Sequence, residues 1–192
     1  MKVIPTNIEG VVIIEPEIIE EVGYYTFESF SQKEFEEKVR KVKFVQENES
    51  MSSYGVMRGL HFQAPPFAQS KLITCVRGTI LDVAIDIRKG SPTYGQHVAV
   101  ELSESNHRQV FIPRGFAHGF AVLSETAICQ YKCDSFYAPQ AEGGISILDD
   151  TLGIDWQIPA HKAVLSEKDT KHPLLKDFDS PFSMDVDLYA VK

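Results

Sequence analysis

The sequence predicts an all-β fold, a sandwich or barrel of many short strands with a few short flanking helices. Three observations carry this: hydrophobic runs of period two, turn signals at short and fairly even intervals between them, and no alternation of strand with long helix. In the clearest run Leu81, Val83, Ile85 and Ile87 alternate with Asp82, Ala84, Asp86 and Arg88, as a half-buried strand requires, and Val98, Val100 and Leu102 repeat the pattern. The punctuation falls at Arg77-Gly78, Lys89-Gly90-Ser91-Pro92, Glu104-Ser105-Asn106 and Pro113-Arg114-Gly115.

Ahead of the strands, Ser31-Gln32-Lys33-Glu34 has capping-box spacing and leads into Phe35 to Lys41, which predicts one helix of no more than three turns. After Gly153 the chain turns polar and irregular, with a second helix start at Ser166-Glu167-Lys168-Asp169. No repeat, low-complexity tract or linker interrupts the chain. Residues 1–192 therefore read as a single domain whose N-terminal strands and C-terminal extension pack on the barrel.

Composition narrows the function. With 192 residues, 43% of them hydrophobic, the chain can bury a core without disulfides or a structural metal. Cys75, Cys129 and Cys133 are odd in number, match no CxxC spacing, and lie in strand-like segments, so they read as reduced structural thiols. Met1 to Gly10 lacks the charged start and apolar run of a signal peptide, and no apolar stretch approaches the roughly 20 residues that span a bilayer, so the expected location is the cytoplasm. A net charge of −8 argues against nucleic acid as a partner, since phosphate backbones are held by clustered Lys and Arg. One anionic small molecule needs only a few well-placed donors.

The chemistry concentrates in two segments. Pro113-Arg114-Gly115-Phe116-Ala117-His118 has the PxGxxH spacing of the second cupin motif, which delivers a histidine onto an inward-facing strand. A metal-binding cupin would also carry an HxH pair on an earlier strand, whereas here that place reads His61-Phe62-Gln63, with Lys71 downstream where an acidic ligand would be useful. The expectation is therefore no metal. What remains is an inward cluster of His61, Lys71, His118 and Tyr131, with Arg58 close by in Arg58-Gly59-Leu60-His61. Such a set of base, acid and cation suits proton abstraction beside a carbonyl, and two proton-transfer groups on opposite faces of a substrate would invert a carbon. Taken singly, a histidine in a β barrel is more often a satisfied core residue, and a tyrosine on a strand usually packs.

The blocks Gly55-Val56-Met57-Arg58-Gly59-Leu60-His61-Phe62-Gln63, Lys71 to Gly78, Gly90-Ser91-Pro92-Thr93-Tyr94-Gly95, Phe116-Ala117-His118-Gly119-Phe120, Tyr131-Lys132-Cys133, Leu152-Gly153-Ile154-Asp155-Trp156 and Leu165-Ser166-Glu167-Lys168-Asp169 follow one another in order. Together they resemble the dTDP-4-dehydrorhamnose 3,5-epimerase family. The resemblance implies a cupin-like β jelly roll, also called a double-stranded β-helix. The implied reaction inverts C3 and C5 of dTDP-4-dehydro-6-deoxy-D-glucose, without a redox cofactor.

It further implies His61 as general base oriented by Asp169, Tyr131 as general acid, and Lys71 as the group that stabilises the enolate oxygen. Glu28, Gln46, Asn48, Arg58, His118, Glu142 and Lys168 would contact the dTDP-linked substrate. A homodimer is implied as well, with the apolar run Val11 to Ile14 serving strand exchange, although an ordinary edge strand is equally consistent with that run. The pattern departs at Val22-Gly23-Tyr24-Tyr25-Thr26-Phe27-Glu28, where the family's arginine before the glycine is absent and one residue is inserted. Thr170-Lys171 replaces the arginine that often follows the Lys-Asp pair.

Four alternatives share parts of this signature. They are a monofunctional C3- or C5-epimerase of a related nucleotide-linked 4-keto-6-deoxy sugar, a 3,4-ketoisomerase, a sugar-nucleotide-binding cupin without catalysis, and a metal-dependent cupin. Solvent-hydrogen exchange at the sugar separates the first three, and elemental analysis identifies the last.

Overall fold

The computed structural model describes residues 1–190. The chain opens with β1 (Lys2–Pro5), β2 (Val12–Glu15), β3 (Ile19–Glu21), β4 (Tyr24–Thr26) and the helix α1 (Gln32–Lys38). The body follows as β5 (Gln46–Ser53), β6 (Met57–Gln63), β7 (Lys71–Arg77), β8 (Thr79–Asp86), the short β9 (Arg88–Lys89), β10 (His97–Ser103) and β11 (Gln109–Ile112). Then come β12 (Phe116–Val122), β13 (Thr126–Cys133), β14 (Glu142–Gly144) and β15 (Phe182–Ser183).

One sheet runs β1-β2-β11-β7-β13-β5 and the other β10-β8-β12-β6-β14. From β5 to β8, and again from β10 to β13, each strand lies in the opposite sheet from the one before it, which wraps the two sheets face to face as a jelly roll. Ile73, Cys75, Val110 and Cys129 of the first sheet meet Ile80, Ala84, Val100, Phe116 and Val122 of the second in the core between them. The three cysteines are free and buried, on β7 and β13.

The strand predicted from Leu81 onward forms as β8, but it is not half-buried. Every residue from Ile80 to Asp86 is buried. The cause is the C-terminal extension: Leu81, Val83, Ile85 and Ile87 pack under Phe182, Leu175 and Phe178, so the apolar face points out of the barrel into this cover. The other face carries Ile80, Asp82 and Ala84 inward. Asp86 anchors the turn that follows, accepting from Ser91 Oγ at 2.6 Å, Thr93 Oγ1 at 2.7 Å and Arg88 Nη2 at 2.7 Å.

Ser31 caps α1 as its spacing predicts, with the Glu34 N–H donating to Ser31 Oγ at 3.3 Å. Glu34 does not reach back to Ser31, because its carboxylate is taken by the Met1 ammonium, 3.0 Å away, and by Lys38. The helix stops at Lys38 rather than Lys41, once Phe35 is seated against Phe30, Phe44 and Phe111. The second predicted helix start yields only a 3-10 turn at Asp169–Lys171. Pro173 follows, and a proline disfavours helical backbone in the residue before it; His172 is extended, with φ −70 and ψ 148. Among the described residues no helix is long and apolar enough to cross a membrane.

The seam between β6 and β12 positions the site. His118 pairs with His61, but Phe120 pairs with Arg58, so a step of two on β12 is met by a step of three on β6. Strict alternation would put Arg58 and His61 on opposite faces, and this irregularity brings both to one cavity. The strands approach closely because Gly59 meets Gly119: a Cβ on Gly119 would lie 2.6 Å from the Arg58 carbonyl oxygen. Gly119→Ala is therefore expected to destabilise the fold by about 1–3 kcal/mol, the usual cost of overpacking. Urea denaturation measures it, and an unchanged midpoint would show that the seam has slack.

Candidate active site

Two adjoining cavities of about 360 and 270 Å³ open between the sheets, and His61, Lys71 and Tyr131 line both. Gln46, Asn48, Gln63, Cys133, Tyr137 and Glu142 complete the first, and Arg58, His118, Phe120 and Cys129 help close the second. The walls are split by sheet. His61 on β6 and His118 on β12 come from one, Lys71 on β7 and Tyr131 on β13 from the other.

His61 Nε2 is hydrogen-bonded to Asp169 Oδ1. Asp169 is fully buried, at 0% exposure, and its other oxygen accepts from the Gly59 N–H at 3.4 Å. Leaving a buried charge unpaired costs roughly 3–5 kcal/mol, so this carboxylate ties the C-terminal turn to β6. Burial pulls the His61 pKa below the ordinary 6.5, while Asp169, by charge and hydrogen bond, pulls it back up. The imidazole is thus neutral near pH 7, and with Nε2 engaged, Nδ1 is the nitrogen left to act as a base.

Burial likewise lowers Lys71 from its usual 10.5, opposed by the nearby Cys133 thiol and the carboxylates of Asp82 and Glu142. Tyr131 is raised above 10.0, chiefly by burial, and so keeps its proton. At Glu142 the upward push of burial is outweighed by Lys168, which is salt-bridged to it, and the net shift is downward.

The structure brings together His61, Lys71, His118, Tyr131, Asp169, Arg58, Gln46, Asn48, Glu142 and Lys168. Gln46 Nε2 donates to Asn48 Oδ1 at 3.1 Å, and the Arg58 guanidinium donates to the carbonyls of Met57 and Val164 at 2.8 and 3.1 Å. Glu28 does not join them. It is exposed and borders a separate depression with Met1, Ile14 and Phe35, on the far side of the first sheet, because the segment leading to α1 packs there. Val22 stands fully exposed in the β3–β4 turn.

Three residues escaped the sequence reading. Asp82 lies 2.8 Å from His118 Nε2 through one oxygen, with its other oxygen buried and unpartnered. Its signal was an acidic residue inside the clearest strand. Tyr137 donates to Glu142 Oε2 at 3.1 Å, and His172 packs beside His61; neither sits in a periodic segment.

His61, Asp169 and His172 offer ligand atoms within 4.8 Å of one another. Two of these atoms, His61 Nε2 and Asp169 Oδ1, are hydrogen-bonded to each other.

A profile of the dTDP-4-dehydrorhamnose 3,5-epimerase family matches residues 5–177. The Shigella flexneri dTDP-4-dehydrorhamnose 3,5-epimerase is 49% identical over 180 residues, 93% of this chain and 98% of that one. Among solved structures, the enzyme of that name from Elizabethkingia anophelis NUHP1 is 48% identical with a TM-score of 0.89, covering 92% of this chain and 97% of its own. The dTDP-6-deoxy-D-glucose-3,5-epimerase of Legionella pneumophila Philadelphia 1, solved in complex with dTDP-4-keto-L-rhamnose, is 46% identical with a TM-score of 0.88, over 93% and 94% of the two chains.

In an NMR titration, His61 is expected to protonate below 6.5. Asp169→Asn removes the charge that opposes burial and should lower the value further; a rise in that variant would contradict the balance described.

Proposed function

The chain belongs to the dTDP-4-dehydrorhamnose 3,5-epimerase family, and we propose that it performs the family's reaction with His61 as general base, Asp169 as its orienting partner, Tyr131 as general acid and Lys71 as the stabiliser of the enolate oxygen. The activity is inversion of C3 and C5 of dTDP-4-dehydro-6-deoxy-D-glucose to give dTDP-4-dehydro-L-rhamnose. The observation that supports these roles best is the placement of the base and the acid on facing sheets, across one cavity.

The C4 ketone acidifies the hydrogens on C3 and C5, so the chemistry draws on no redox cofactor. Neutral His61 takes the proton through Nδ1, and Asp169 stabilises the imidazolium that forms. Negative charge moves to O4, where the Lys71 ammonium opposes it in a site of low dielectric. Tyr131, protonated because burial raises its pKa, returns a proton from the opposite wall, and the carbon is inverted. Once His61 has released its proton to solvent and Tyr131 has regained one, the same two steps at the second carbon complete the double epimerisation.

Arg58, Lys168, Gln46, Asn48, His118 and Glu142 contact the nucleotide-sugar in this reading, with the two cations suited to the diphosphate or a developing oxyanion. Glu28 reaches substrate only across a subunit boundary, since within one chain it lies apart from the cavities. A cytoplasmic homodimer of single jelly-roll domains, residues 1–192, accords with this. The β3–β4 hairpin exposes Ile19, Val22, Tyr24 and Tyr25, apolar surface that a second copy would cover.

In deuterium oxide with dTDP-4-dehydro-6-deoxy-D-glucose, the protein should lose both the H3 and H5 signals, and His61→Ala should lose neither. Asp169→Asn should lower kcat by roughly 10²–10⁴-fold with little change in KM. The rate should fall as pH drops through the His61 value, below 6.5. Tyr131→Phe should exchange hydrogen without inverting the carbon, because the base returns the proton to the face it came from. Inversion at full rate in that variant would remove Tyr131 from the mechanism.

A further inference from the structure

The cavity residues account for proton removal and return, but not for His172. It closes the 3-10 turn Asp169–Lys171, and with three residues per turn it falls on the same side as Asp169. Its ring occupies a notch left by Gly144, the residue paired with His61 across the β6–β14 seam. A Cβ on Gly144 would lie 2.6–2.8 Å from three atoms of the His172 ring.

From that notch the ring stands edge-on to His61, with centroids 5.6 Å apart and planes at 70°. His172 Nε2 lies 3.9 Å from Asp169 Oδ1, the same oxygen that holds His61. The nitrogen is buried and has no hydrogen-bond partner. A leucine or phenylalanine would fill the notch without burying an unsatisfied nitrogen, so packing alone does not explain an imidazole here.

We propose that His172 is a positioning residue for the catalytic base: it walls the His61 ring on the β14 side and presents a second imidazole nitrogen to Asp169 Oδ1, which keeps Asp169 aligned while His61 gains and loses its proton. The inference rests on the reading of His61 as base. As the His61–Asp169 contact lengthens or shortens during turnover, the shared oxygen has a second polar neighbour within a short movement, and the carboxylate is not left to swing after the first. The charged groups that act on His61 beside Asp169 are Lys71 across the cavity and Lys168, itself held by Glu142.

Three variants test it by the same deuterium exchange assay. His172→Phe keeps the bulk and removes the nitrogen. Gly144→Ala leaves His172 intact but expels its ring from the notch, at a backbone position that tolerates alanine because its φ is not positive. His172→Gln retains a nitrogen donor. The first two are expected to lower kcat by about ten- to hundredfold with KM within about twofold, as misplacement of a catalytic group does. In Gly144→Ala, where water enters the notch and less of His61 is buried, the acid limb of kcat/KM should also move to higher pH. His172→Gln should recover most of the rate.

Native kcat in His172→Phe would overturn the inference, since a ring that only fills space would then suffice. So would a loss in KM alone. His61→Asn separates the two claims. If it still exchanges hydrogen, the base assignment fails; if it is inactive while the His172 and Gly144 variants behave as native, only the positioning role fails.

Discussion

A carboxylate buried to zero exposure sets the terms for this structure. Asp169 is satisfied only if the turn after Ser166 is held against β6, where His61 and the Gly59 N–H meet it and Ser166 Oγ accepts from its own N–H at 3.1 Å. Seating that turn commits the whole C-terminal extension to the outer face of the second sheet. Asp149, earlier in the chain, repeats the device, accepting from the Thr151 N–H at 3.0 Å and the Leu175 N–H at 2.7 Å, and Leu175 packs on the cluster that contains Ile85 and Val83. The extension is therefore both the cover of the sheet and the source of the carboxylate that His61 meets.

This arrangement explains why one strand misled the periodicity argument. In β8 the alternation of apolar and polar residues was legible and correct, but the usual equation of apolar with inward was not. Leu81, Val83 and Ile85 face a cover supplied by residues about a hundred positions later, and the interior receives Asp82. The inward face of β8 carries Ile80 and Ala84 in the core beside Asp82, so both faces of this strand are covered and its alternation cannot say which of them lines the site. Local sequence carries no record of which face a distant segment will cover.

The same distinction separates the site residues that could be read from those that could not. His61, Lys71, His118 and Tyr131 lie on strands with recognisable spacing, and their convergence follows from the jelly roll once the strands are placed. Asp169 was accessible only through the family resemblance, since a Lys-Asp pair in an irregular tail has no periodicity to interpret. Glu28 shows the reverse: the resemblance names it, in a segment that departs from the family pattern, and the path of one chain takes it away from the cavity. Asp82 was visible as an acid in a strand, and its pairing with His118 needed the β8–β12 register.

His61 and Asp169 are 108 residues apart, and His61 and Tyr131 belong to sheets that are filled alternately by successive strands. During synthesis, then, a nascent chain that has laid down both sheets still has His61 without its carboxylate partner. That pairing forms only when the tail has left the ribosome and docked, so a polypeptide truncated anywhere before Asp169 lacks it, however much of its barrel has formed. The order of the elements thus makes the late C-terminal turn a condition for assembling the site.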